Sequence, residues 1–278
     1  MKNHNPTSAS HLLRQCTASA LIGLCGLASA AQSEAFTFAS VDIFDKGPLE
    51  GTTSTLSNTD PVFVERGLEP AAYGKSRAAF GSNGFAILSG AGATSIWSDR
   101  FTITYTGPGP MLVNFSVDVR GAIIGDADMH YNLLVSDQPF DLPAMLASLE
   151  EDNEQINIPG STSILKALIM DDQKSPHMTL TGTLPVLSGQ TFYLASVFRG
   201  DVCTPLEGPE WAGCPGGSED FFHSANFGIS RPAGSTIATL SNTVYAQAVP
   251  EASSLMLTLA GLATAAGLAR QAKVRRNC

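Results

Sequence analysis

The chain has 278 residues, 44% of them hydrophobic and only 15% charged, with 25 acidic against 16 basic side chains. Residues 31–248 hold 24 of the acids and ten of the bases, a balance near −14, whereas the last nine residues carry +4. So acidic a body excludes a nucleic-acid-binding role, which needs a basic face for phosphates, and it leaves cation binding open.

The first element is a targeting segment. Lys2 and Arg14 precede an uncharged stretch over 16–31 whose apolar centre is 20–27. Ala28-Ser29-Ala30 has the small-x-small pattern that signal peptidase cuts, here before Ala31. Residues 1–30 therefore read as a signal peptide. The apolar centre is too short to span a bilayer, and bulky Leu24 before Cys25 does not suit a lipoprotein.

Within the body, residues 36–44 read as an opening strand and 45–61, rich in Gly, Ser, Thr and Asn, as a long surface loop. Residues 76–89 suggest two short strands about a turn. Residues 95–106 and 111–121 both alternate apolar with polar side chains around Gly107-Pro108-Gly109-Pro110, which predicts a hairpin with one wet face. Another strand is expected over 129–136. Residues 141–151 predict the one helix, with Asp141 as cap, Pro143 in the first turn, and Leu142, Met145, Leu146 and Leu149 as its apolar stripe. Residues 164–170 fit a strand or a helix. Strands follow over 178–184 and 191–199, and a last pair over 224–230 and 237–245 around a Pro/Gly turn. The sum is one all-β domain over 31–248, a jelly-roll-like β-sandwich of eight or so strands with one short helix.

Cys203 and Cys214 flank a Pro/Gly-rich loop. In an exported chain the simplest reading is a local disulfide, contributing about 3 kcal/mol in the chain-entropy view. Zinc would need two further ligands, and nearby His223 offers only one. Trp211, inside that loop, is a candidate ligand contact that could stack on a sugar or a partner surface. Asp126 and Asp128 form a DxD pair able to supply part of a calcium site, the only cofactor suggested, and Glu219 and Asp220 are the other acidic pair considered. His130, His177 and His223 are isolated, and neither a nucleophile elbow nor a phosphate loop occurs. Nothing here points to an enzyme.

The end of the chain has three parts without a gap. Val249-Pro250-Glu251-Ala252 leads into an uncharged run over 252–269, then Arg270, Lys273, Arg275 and Arg276. Eighteen helical residues reach about 27 Å, close to the hydrocarbon thickness, and the basic tail would stay in the cytoplasm. This order resembles the PEP-CTERM sorting signal of Gram-negative bacteria, with Ala252 where that signal has its second proline. The resemblance, confined to residues 249–278, implies recognition and removal of the anchor by an exosortase, and a destination at the cell surface or in the exopolysaccharide and biofilm matrix. Residues 95–104 and 225–245 are similar to β-rich domains of such proteins. The expectation is a structural or adhesive envelope or matrix protein with signal peptidase and exosortase as processing partners. A carbohydrate-binding module with structural calcium is the alternative, and a polysaccharide-degrading enzyme ranks behind both.

Overall fold

A computed structural model describes residues 33–44, 50–68, 72–125, 127–151, 158–170, 176–202 and 216–248. The signal peptide with Ala28, Ala30 and Ala31, the motif Val249, Pro250, Glu251 and Ala252, the apolar span and the basic tail lie outside these residues, as do Asp126, Cys203, Trp211 and Cys214. Among the described residues no helix is long and apolar enough to cross a membrane.

The strands are β1 (Phe36–Ile43), β2 (Gly51–Ser57), β3 (Val62–Leu68), β4 (Ala72–Ala79), β5 (Ser82–Leu88), β6 (Ala91–Tyr105), β7 (Met111–Arg120), β8 (Ala122–Gly125) and β9 (Ala127–Ser136). After helix α1 (Leu142–Glu151) come β10 (Ser161–Met170), β11 (His177–Val186), β12 (Thr191–Val202), β13 (Gly217–Asp220), β14 (Asn226–Ser230) and β15 (Ser235–Thr239). They form two sheets in a sandwich. The first runs β10-β9-β12-β6-β1-β2, with β15 also on β6. The second runs β11-β7-β14-β5-β13-β8, with β4 and then β3 on the other edge of β5.

Strand β6 is the spine of the first sheet. One edge pairs with β12 over Gly92 to Thr102. The other is shared, β1 taking its first half and β15 its last residues. Its side chains are buried on both faces for most of its length. One face joins the main core with Trp97, Phe101 and Ile103, where Trp97 is fully buried as a core residue should be. The other lies under α1, where Leu142, Met145 and Leu149 close a second cluster over Phe38, Ile96 and Val197. The predicted helix and its stripe are present, and the Met145 amide donates to Asp141 O at 2.9 Å.

Two predicted pairings are in fact crossings between the sheets, and a third connection crosses in the same way. Strand β6 belongs to the first sheet and β7 to the second, so residues 95–106 and 111–121 are not a hairpin. Four residues including two prolines make no two-residue turn, and alternation fixes which face is buried without fixing the partner. Likewise β14 and β15 lie in different sheets instead of pairing, and β11 passes to β12 across the sandwich. All three crossings meet at Tyr105. Its hydroxyl donates to Gly109 O and lies 3.1 Å from Val186 O, Ser188 Oγ donates to Tyr105 O at 2.7 Å, and Ser235 is its partner in register.

The predicted loop over 45–61 is also corrected in part. Residues 51–57 form β2, a Thr/Ser-rich edge strand on β1. Threonine suits a half-wet pleated surface, yet its polarity gives the segment the composition of a loop. The ambiguous 164–170 segment is strand, within β10, with a register shift between Ser163 and Leu165.

A polar network links the two sheets inside the core. Asn83 Nδ2, from the second sheet, donates to Ser95 O and Oγ at 2.9 Å. Ser196 Oγ donates to Asn83 Oδ1 at 2.7 Å and lies 3.0 Å from the Tyr131 hydroxyl. Burial pushes the Tyr131 phenol well above its ordinary range.

Candidate functional site

Two places gather chemically capable side chains. The first is where β9, β12 and β13 meet. Asp128 and Asp201 are directly opposed in register on β9 and β12, as are His130 and Arg199. Cross-strand partners share a face, so all four stand on the helix side of the first sheet. There Arg199 Nη2 lies 2.8 Å from Asp201 Oδ2, His130 Nε2 lies 3.4 Å from Asp128 Oδ2, and Arg199 Nη1 donates to Leu149 O near the end of α1 at 2.7 Å. Burial pushes the Asp201 carboxyl up, with Arg199 opposing that shift and the charge of Asp128 adding to it.

Glu219 approaches the same sheet from its other side. It is 2% exposed, and neither carboxylate oxygen has a hydrogen-bond partner among the described residues. A Cβ on Gly200 would lie 2.0 Å from Glu219 Oε2, so glycine is what lets β12 pass the carboxyl. Burial, then the charges of Asp128 and Asp201, push the Glu219 carboxyl well above the usual carboxylate range. Because Gly200 and Asp201 point to opposite faces, the strand itself stands between Glu219 and the Asp128–Asp201 pair. Accordingly, no group of three His, Cys, Asp or Glu among the described residues could hold a metal ion. Asp128, expected as a calcium ligand, here neighbours His130, and its proposed companion Asp126 is outside the described residues.

The second place is the outer face of the second sheet. Along β4 every second residue is buried, leaving Tyr73, Lys75 and Arg77 on the outside. Register sets Phe63 beside Arg77 and Glu65 beside Lys75. Phe63 is 51% exposed. Phe222, from the turn after β13, lies edge-on to Phe63 with ring centroids 5.9 Å apart. Lys75 Nζ is 4.5 Å from the centre of the Phe222 ring, and Arg77 Cζ is 5.3 Å from it. Arg77 Nε donates to Phe222 O at 2.5 Å, which fixes the guanidinium on the turn. Glu65 accepts from the Tyr73 hydroxyl at 2.6 Å. No ion pair of Lys75 or Arg77 with a carboxylate is found among the described residues. The arrangement presents rings and positive charge to solvent on a rigid frame.

This face is not legible in the sequence. The period-two order Tyr73-x-Lys75-x-Arg77 is its signal, but the partners Phe63 and Phe222 come from distant parts of the chain. Of the other body histidines, His177 contacts Asp118 at 2.8 Å and His223 packs edge-on to Phe222.

No family model matches the chain, and no curated protein does. Among solved structures it is similar to the carbohydrate-binding module TmCBM61 in complex with β-1,4-galactotriose, at 9% identity and a TM-score of 0.24, over 62% of this chain and 88% of that one. It is similar also to the xylohexaose-bound CBM22-1–GH10 modules of Clostridium thermocellum endo-1,4-β-D-xylanase 10B, at 12% identity and a TM-score of 0.23. A third is the enzymatically active domain of bacteriophage CBA120 tailspike protein 4, at 9% identity and a TM-score of 0.23. The match covers 62% and 61% of this chain, but only 26% and 19% of those last two chains.

Proposed function

We propose that the chain is a non-enzymatic, exported β-sandwich protein of the cell envelope or extracellular matrix, where it binds polysaccharide as a structural or adhesive component. The observation that carries this reading is the outer face of the second sheet. There Phe63 stays half in water against Phe222, whose ring carries Lys75 and Arg77, an arrangement that contributes little to a core and suits a binding surface. The sequence supports the address. An N-terminal signal peptide and a C-terminal sorting signal like that of PEP-CTERM proteins bracket the domain, with signal peptidase and exosortase as processing partners.

Two measurements test the reading. Sedimentation of the full chain with exopolysaccharide from the producing cells tests binding, and failure to co-sediment contradicts it. Mass spectrometry of the protein recovered from those cells tests sorting. Loss of residues 1–30 and of the segment after the Val249-Pro250-Glu251 motif is expected, whereas a C-terminus still carrying Cys278 contradicts exosortase processing.

A further inference from the structure

Resting on the polysaccharide-binding reading, the charge at this surface points to a narrower ligand. We propose that Phe63, Lys75, Arg77 and Phe222 form a binding site for an acidic polysaccharide, one whose sugars bear uronic carboxylates. Residues 31–248 are strongly acidic as a whole, so a glycan carboxylate meets repulsion over most of the surface. The outer face of β4 is locally less acidic: Lys75 and Arg77 stand two positions apart there, against Glu65 on β3 and Asp220 on β13, both in the Lys75 row, so the Arg77 end is where positive charge is least opposed.

The division of labour follows from the geometry. Arg77 is held by its bond to Phe222 O and its 3.5 Å approach to Ser82 Oγ, so its fork is pre-set in direction. An ordered guanidinium loses little freedom on meeting a carboxylate. Lys75 rests on the Phe222 ring, which orients an ammonium without neutralising it. Phe63 offers an exposed ring against which a sugar face can pack. Glu65, opposite Lys75, is engaged by Tyr73 and disfavours an anion directly above it, which places the carboxylate towards Arg77.

The experiment is affinity electrophoresis of the full chain, purified in mild detergent, through gels containing polygalacturonate, alginate or neutral galactan, at low and high salt. Retardation by the two polyuronates, weakened by salt, with little by galactan, is the expected result. Lys75→Glu should weaken retention at least tenfold, Lys75→Arg should keep it, and Phe63→Ala should weaken it several-fold. Both side chains lie on the solvent side of the sheet, and an unchanged melting temperature establishes that each variant folds. Retention by galactan equal to that by the polyuronates overturns the acidic-ligand inference but leaves polysaccharide binding standing. Polyuronate binding untouched by Lys75→Glu and Phe63→Ala overturns the site. Absence of binding to all three overturns the inference, and the sedimentation test then decides separately whether any polysaccharide is bound.

Discussion

The Tyr245 hydroxyl donates to Asp99 Oδ2 at 2.7 Å, fastening the last described stretch of the chain to the spine strand β6. Asp99 is fully buried and accepts also from the amides of Arg100 and Ser241 and from Ser241 Oγ. The Tyr245 ring closes the aromatic cluster, with centroids 5.1 Å from Phe101 and 5.4 Å from Phe227. Burial and then the charge of Asp99 push its phenol far up, so it remains a neutral donor. Tyr245→Phe should cost about 1.5–3 kcal/mol, the worth of one hydrogen bond to a charged acceptor. Asp99→Ala should cost more, because several buried donors lose their acceptor at once. Urea unfolding of both variants checks the order.

Glu219 predicts an unusual pH dependence. Its folded-state carboxyl titrates above the ordinary value of 4.5, so over that interval the native state holds a proton that the unfolded chain has released. Its contribution is complete below pH 4.5 and is lost as pH rises through the higher native value. Asp201 has the same sign. The slope is at most about 1.4 kcal/mol per pH unit per group. Glu219→Gln should remove its share and make the protein more stable near pH 8. Melting curves between pH 4 and 8 decide it: a Gln variant less stable than the parent at pH 8 contradicts the assignment.

Gly200 should not tolerate a side chain. An alanine methyl there would sit 2.0 Å from Glu219 Oε2 and 2.3 Å from Phe85 Cε2, and neither can retreat in a packed core. Gly200→Ala should cost about 3 kcal/mol. Gly234→Ala is the contrasting control: its Cβ would meet nothing within 4 Å, leaving only the strain of its positive φ of 81°.

Asn83 carries the polar link between the sheets. Asn83→Ala removes the acceptor of Ser196 Oγ and the donor to Ser95, which keep Tyr131 and Arg77 O as their other partners, and should cost about 1–3 kcal/mol, measured by urea unfolding.

Much of the secondary structure was legible because alternation is a local signal. Strand β7 buries Val113, Phe115, Val117 and Val119 as its sequence predicts. The α1 stripe is local in the same way. The strand pairing was not legible. Which sheet receives β7 depends on where Tyr105 gathers three turns, and no window of sequence contains all three. Nor did β12 alternate, because its sheet is covered by the core on one face and α1 on the other. The acidic pair singled out in sequence led to Asp128, but its register partner Asp201 lies 73 positions away on β12. The outer-face site has the same character: Phe63 and Phe222 meet only in the fold.

Polysaccharide binding by this sandwich is open to an equilibrium titration. The full chain in mild detergent is titrated with exopolysaccharide from the producing cells, following heat release. Saturable binding is expected, weakened several-fold in Phe63→Ala at unchanged melting temperature. A flat isotherm for the parent chain would contradict it.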